Sequence, residues 1–213
     1  MTSRANFIKV LLGLLAVVVS VLLGVLISST TNPFRIFDDN LYQILYISSP
    51  HTVTGFMIAI TTLGNTGVVI FCSIVAVGCF ALRRRLNDAL VWVISIGVTE
   101  LFVELLKNFF AVDRPPLHLI DVTGASYPSG HASAISAIGT PLILLVSPHI
   151  KDASVRTMFN VVCLAIVVLV SISRLYLGVH WSSDVVGGVL LGSGVALVSH
   201  AGILWLKLPE KKS

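Results

Sequence analysis

The sequence predicts an all-α fold: a bundle of six membrane-spanning helices. Three observations carry this reading. Hydrophobic residues make up 55% of the 213 residues and charged ones only 11%, where a soluble domain carries about 25% charged residues. Six apolar runs reach the roughly 17–25 residues that a helical span needs. The cations divide unevenly between the two ends of those runs. A chain this poor in charge cannot cover a globular surface with polar groups, so the bilayer is its solvent and helices satisfy its backbone. The length suits a single domain over residues 1–213, with no internal repeat and no low-complexity segment.

The first span is expected at 8–28, apolar from Phe7 to Ile27 behind Arg4 and Lys9. It exceeds the roughly 7–15 residues of a signal-peptide core and no A-x-A site follows, so it reads as a retained helix. Asp38 to Ile47 reads as a short interfacial helix, and Gly64-Asn65-Thr66-Gly67 as a break beside the second span, 66–82. The remaining spans are expected at 88–110, 131–147, 157–173 and 185–206. Six spans place both termini on one side, with Arg83, Arg84, Arg85, Lys151 and Arg156 in its loops. That side holds ten of the 14 lysines and arginines, so it is expected to be cytoplasmic.

The opposite side holds only Arg35, Lys107, Arg114 and Arg174, and three of these sit in polar clusters at span ends. Lys107 to Pro115 leaves the third span. Tyr127-Pro128-Ser129-Gly130-His131 enters the fourth. Ser173-Arg174 and His180 to Asp184 join the fifth to the sixth. Lys107 and Arg114, seven apart, share a face if the helix persists to Arg114. Three cations suit a group with several anionic oxygens, and arginine holds two of them at once. Ser129-Gly130 ahead of a helix offers backbone N–H groups and a favourable dipole to an anion. Asp184, four residues after His180, can fix the imidazole tautomer and stabilise positive charge on the ring. The chemistry of this set is phosphoryl transfer. No carboxylate cluster marks a hard-metal site, so the cations take the part magnesium plays elsewhere and no cofactor is expected.

The other features read as structural. Arg35 is expected only to snorkel. His51, His118, His149 and His200 are expected to be structural or exposed, and Pro115 and Pro128 to mark helix ends. Glu100 and Glu104 lie inside the third span, and Glu104 is placed to pair with Lys107. Cys72, Cys79 and Cys163 argue against a disulfide framework. Trp92, Trp181 and Trp205 read as interface residues, and Gly187, Gly188, Gly192 and Gly194 as sites of close helix packing.

The pattern K-x6-RP, PSGH, SR-x5-H-x3-D resembles the signature of the type 2 phosphatidic acid phosphatase (PAP2) superfamily, which includes lipid phosphate phosphatases and vanadium haloperoxidases. The resemblance covers about residues 55–206 and implies a PAP2/haloperoxidase-type core. It implies His180 as the nucleophile forming a phosphohistidine, Asp184 orienting it, and His131 protonating the leaving oxygen and then activating water. Lys107, Arg114, Ser129, Gly130 and Arg174 are the implied phosphate holders. Where many relatives read R-P-R-P, this chain has Val112-Asp113-Arg114-Pro115, a departure that bears on substrate charge preference. The implied substrate is a lipid phosphate in the bilayer, of the phosphatidylglycerophosphate, phosphatidate or undecaprenyl diphosphate class. No nucleic-acid partner is implied. The residues by themselves leave open direct attack by water with His180 as base, transfer of phosphate to another acceptor, and a non-enzymatic phosphate-binding vestibule. The three clusters face the extracytoplasmic side in this reading.

Overall fold

The computed structural model describes residues 2–48, 50 and 52–206. Among them the chain is helical, without strands. The elements are α1 (Thr2–Ser28), α2 (Arg35–Tyr42, extended by a π turn to Ile47), α3 (Thr54–Thr61), α4 (Thr66–Leu82), α5 (Leu86–Phe110), α6 (Gly130–Pro141), α7 (Ala153–Tyr176) and α8 (Ser182–Leu206). Helix α6 continues through wider and tighter turns to His149. Pro141 cannot donate a backbone hydrogen bond, and the geometry changes directly after it.

Five helices are long and apolar enough to cross a membrane: Arg4–Ser28, Leu86–Phe110, Gly130–His149, Ala153–Tyr176 and Ser182–Leu206. The sixth crossing is a bent pair, Thr54–Gly64 with Thr66–Leu82, angled by 49°. The break between them falls in the Gly64-Asn65-Thr66-Gly67 stretch, as the sequence indicates. A helix also forms where the short one is expected from Asp38 to Ile47, as α2 and its π turn, but it begins earlier, at Arg35. His51 and the cations Lys207, Lys211 and Lys212 lie outside the described residues.

Helix α8 is the hub, packed against α1, α5 and α6. Small residues make this possible. A Cβ on Gly192 would lie 2.2 Å from the Ser133 carbonyl oxygen of α6, and one on Gly194 would lie 2.7 Å from the Gly13 carbonyl oxygen of α1. Gly187 and Gly188 meet Tyr127 and Ser129 just as closely. The glycines therefore serve close helix contact, since lipid gives helices no hydrophobic drive to associate.

Apolar side chains form two buried clusters. One joins Ile27, Val103, Leu106, Phe110, Tyr127 and Leu191 beneath the polar loops. The other joins Phe80, Val91, Trp92, Ile138, Leu145 and Ile203 at the opposite end. Leu11, Leu15 and Leu22 of α1 and Val161, Leu164 and Val168 of α7 are exposed. Such apolar stripes suit a lipid surface.

Candidate active site

The polar clusters assemble at one end of the bundle. Helix α5 ends at Phe110, where Ala111 takes a left-handed conformation with φ 47°. The helix does not persist to Arg114, so the expected shared helical face is not what joins Lys107 to Arg114. They meet across a loop instead. Lys107 Nζ donates to the Ala125 carbonyl at 2.7 Å, and Arg114 Nη2 donates to the same oxygen at 3.3 Å. Arg114 also donates to the carbonyls of Gly124 (2.9 Å), Thr123 (3.2 Å) and Val179 (2.7 Å). Its guanidinium thus ties the 123–125 loop to the loop carrying His180, with Nη1 lying 3.4 Å from His180 Nε2. Burial pulls the Arg114 guanidinium below its usual range while Asp184 opposes the shift.

The second cluster runs through a cis Tyr127–Pro128 bond into α6. Tyr127 is fully buried, its hydroxyl donates to the Ser20 carbonyl, and burial pushes that hydroxyl up to about 12. It is therefore a neutral donor that fastens the cluster to α1. Ser129 caps α6 in extended conformation, and its N–H donates to the Asp184 carbonyl at 3.0 Å. The Ser129 hydroxyl is buried without a partner among the described residues, as is Arg174 Nε. A buried polar group normally has a hydrogen-bond partner, and both suit a phosphate oxygen. The first helical bond of α6 runs from Ser133 N to the Ser129 carbonyl. The N–H groups of residues 130–132 therefore have no helical partner, which is the usual anion-binding arrangement. A Cβ on Gly130 would meet only Val103, at 3.8 Å. Packing does not demand glycine there, so its missing side chain leaves room for a ligand.

The third cluster carries His180. Leu177 to Trp181 links α7 to α8, turning at Gly178 with φ 71°. His180 precedes α8 and does not lie on it, yet its Nδ1 still lies 3.3 Å from Asp184 Oδ2. The reason is the helix start. Asp184 Oδ2 accepts from Trp181 N at 2.8 Å, the reach-back of a capping box, and this aims the carboxylate toward residue 180. Ser126 donates to the same oxygen and lies 3.3 Å from His180 Nδ1. With Nδ1 turned to the carboxylate, Nε2 is the ring nitrogen that faces the Arg114 guanidinium. Burial, then Arg174, Arg114 and Lys107, hold the His180 imidazole well below its usual range. The ring is neutral at physiological pH and available as a nucleophile or base.

His131, on the first turn of α6, faces the α3–α4 break, its Nε2 2.7 Å from Asn65 Oδ1. A Cβ on Gly64 would lie 2.9 Å from the His131 ring. Arg174 is almost fully buried and donates to Thr61 Oγ1 at 2.8 Å. All eight residues named from the sequence thus belong to one end of the bundle. Ser126, Asn65 and Thr61 were not named. Asn65 had a signal, since it lies in a polar break in an apolar run. Thr61, a single hydroxyl among apolar residues, had none.

Other expectations need correction. Glu104 accepts from Asn108 at 3.2 Å while Lys107 turns to Ala125, so the Glu104–Lys107 pair does not form. Trp92 is 2% exposed and packs on Phe80, not at an interface. Trp181 is buried and donates from Nε1 to the Asp113 carbonyl at 2.8 Å. Arg35 does more than snorkel: it pairs with Asp39 at 3.0 Å and lies 5.2 Å from the Trp181 ring centre. His200, by contrast, agrees with the expectation of a structural histidine: it is buried beside Lys9, with 3.5 Å between Nδ1 and Nζ. Glu100 opens onto an apolar groove of about 530 Å³ between α4 and α5. Val69, Ile74 and Ile96 also line this groove, and Gly130 and His131 reach it from the site.

Residues 88–207 match the model of the PAP2 superfamily. An undecaprenyl-diphosphatase of Sulfolobus acidocaldarius is 32% identical over 170 residues, which cover 76% of this chain and 77% of that protein. Phosphatidylglycerophosphatase B of Bacillus subtilis is 29% identical over 165 residues, 76% of this chain and 81% of that protein. The crystal structure of the transmembrane PAP2-type phosphatidylglycerolphosphate phosphatase from Bacillus subtilis superposes with a TM-score of 0.79 at 25% identity, covering 94% of this chain and 98% of that one. LpxE of Aquifex aeolicus shares the fold at a TM-score of 0.60 and 23% identity, covering 75% of this chain and 92% of that one. With its motifs gathered at one end of such a bundle, this multi-span chain belongs to the PAP2 superfamily and is a membrane phosphatase of that family.

Proposed function

We propose that the chain hydrolyses the phosphomonoester or diphosphate of a membrane lipid through a phosphohistidine at His180, at the outer membrane face and without a metal ion. The observation that carries the reading is the setting of His180. One ring nitrogen is turned to Asp184 and the other to Arg114, and the ring is held neutral. In the first step Nε2 attacks phosphorus, an N–P bond forms, and the bond to the leaving oxygen breaks as His131, entering as the imidazolium, gives its proton to that oxygen and becomes neutral. In the second, His131 takes a proton from water, the hydroxide attacks phosphorus, the N–P bond breaks and phosphate leaves. Lys107, Arg114, Arg174, the Ser129 hydroxyl and the first-turn N–H groups of α6 stabilise the oxygens of the transferring group.

The apolar groove beside His131 supports a lipid substrate, since it offers a hydrocarbon chain a place next to the phosphate site. The names of the relatives point to undecaprenyl diphosphate and phosphatidylglycerophosphate as the first substrates to test. Rapid quenching of the purified protein with ³²P-labelled lipid phosphate should trap acid-labile, base-stable label on the protein, and His180→Ala should carry none. Full turnover without trapped label, alongside an inactive His180→Ala, would replace covalent catalysis by direct water attack with His180 as base, and an active His180→Ala would remove His180 from both routes. Turnover should persist in EDTA, and a strict magnesium requirement would remove the metal-free part of the reading.

A further inference from the structure

Asp38 is 3% exposed, yet it carries a carboxylate and lies outside the stretch matched to the family model. Burying a carboxylate is costly unless hydrogen bonds offset the loss of water. Three do so here. Asp38 Oδ1 accepts from Ser182 Oγ at 2.5 Å and from Ser183 N at 2.9 Å, and Oδ2 accepts from Ser183 Oγ at 2.7 Å. Both serines belong to the first turn of α8. Asp38 therefore caps that helix from another element, where the dipole also favours negative charge.

The next residue in that turn is Asp184, whose carboxylate faces His180. Other contacts hold the same loop from the same side. The Tyr42 ring lies 5.7 Å from that of Trp181. A Cβ on Gly178 would strike the Tyr46 ring at 2.7 Å. Residues 35–47 thus brace the 177–184 segment.

We propose that Asp38 is a positioning residue for the reaction: by fixing the first turn of α8 it sets where Asp184 meets His180. The inference rests on the reading of His180 and Asp184 given above. Without Asp38 the turn loses three acceptor contacts, and the Asp184 carboxylate, still held by Trp181 N and Ser126 Oγ, shifts with the turn that carries it. Lys107 and Arg174 are held by the Ala125 carbonyl and Thr61, away from this turn, so the loss should fall mainly on the chemical step. A displacement of about 1 Å at a reacting group costs up to roughly 100-fold in rate.

Asp38→Ala should lower kcat by roughly 10- to 100-fold with KM changed by less than about twofold. Asp38→Asn, which keeps an acceptor for the helix N–H, should recover most of that loss. In an Asp184→Asn background, Asp38→Ala should cost little more, because residues that act as a unit are not additive. Ser182→Ala with Ser183→Ala tests the same clamp without emptying the Asp38 site, and should lower kcat alone. Size-exclusion and melting profiles in detergent identify the folded variants. An equal loss from Asp38→Ala in both backgrounds, a loss confined to KM, or full kcat in both the folded Asp38→Ala and the serine pair would overturn the proposal. His180→Ala separates the two levels: turnover there sinks the reading of His180, whereas an inactive His180→Ala with no coupling between Asp38 and Asp184 sinks only the role of Asp38.

Discussion

At the scale of residues, the chemistry follows from how cation, ring and carboxylate are spaced. His180 is kept well below its usual range by burial and then by Arg174, Arg114 and Lys107. A histidine must be neutral to attack phosphorus. Because its pKa is lowered, the neutral form persists as pH falls past the ordinary imidazole value near 6.5. The kcat/KM profile of the purified protein should therefore have no acid limb from His180 near that pH. Its loss should come only at lower pH, and should be absent from the residual rate of His180→Ala. Vanadate, which takes a five-coordinate geometry like the transition state, should compete with substrate. Arg174→Ala should weaken vanadate binding by about 1.5–3 kcal/mol, the value of a charge-assisted hydrogen bond. Inhibition constants for the two proteins check this directly. The sequence made this scale partly readable. His180, Asp184 and the cations carry chemistry in their side chains and stand at motif spacings. Ser126 and Asn65 do not, because a serine or asparagine becomes informative only when the fold shows which ring it touches.

At the scale of elements, apolar runs and glycines dictated most of the result. Five of the expected spans appear as single helices because a long apolar run in lipid has to close its own hydrogen bonds, whereas the run expected at 66–82 is long enough only together with Thr54–Gly64, as a bent pair. What the runs did not reveal was how helices end. Helix α5 stops at Phe110 through a left-handed Ala111, which no glycine or proline announces at that position. Trp92 was misread for a related reason: nearness to a span end does not tell which face of the helix looks at lipid. Glycine substitutions test the contacts. Gly192→Ala would put a Cβ 2.2 Å from the Ser133 carbonyl oxygen, so α6 and α8 must separate. It should lower stability by about 1–3 kcal/mol, read as a lower melting temperature in detergent. Gly202→Ala, on the same helix with open space around it, should leave the melt nearly unchanged. Gly64→Ala would press on the His131 ring at 2.9 Å. It should cut kcat by roughly tenfold or more while the melt moves little, and steady-state kinetics on the folded protein measure it.

At the scale of the whole molecule, the unequal placement of cations gives a test of orientation. In a background with Cys72, Cys79 and Cys163 replaced by serine, a cysteine at the exposed Asp121 should react with an impermeant thiol reagent on intact cells. One at the exposed Lys151 should react only after the membrane is opened. The reverse labelling would turn the site toward the cytoplasm. The number of spans and the end at which the motifs gather were readable in advance, since both depend on apolar length and on charge that lipid excludes. The bracing of the site by residues 35–47 was not, because it depends on contacts between segments some 140 residues apart in the chain, such as that of Asp38 with Ser183.

The groove between α4 and α5 is lined by the exposed Ile70, Ile74 and Val93 as well as by His131, so it joins the apolar outer surface of the bundle to the site. A substrate arriving that way never leaves its own phase. The quantity that sets its encounter rate is then its share of the surrounding amphiphile, not its amount per litre. In mixed micelles, diluting substrate with inert detergent at constant bulk concentration should slow turnover, while diluting the whole suspension with buffer should not.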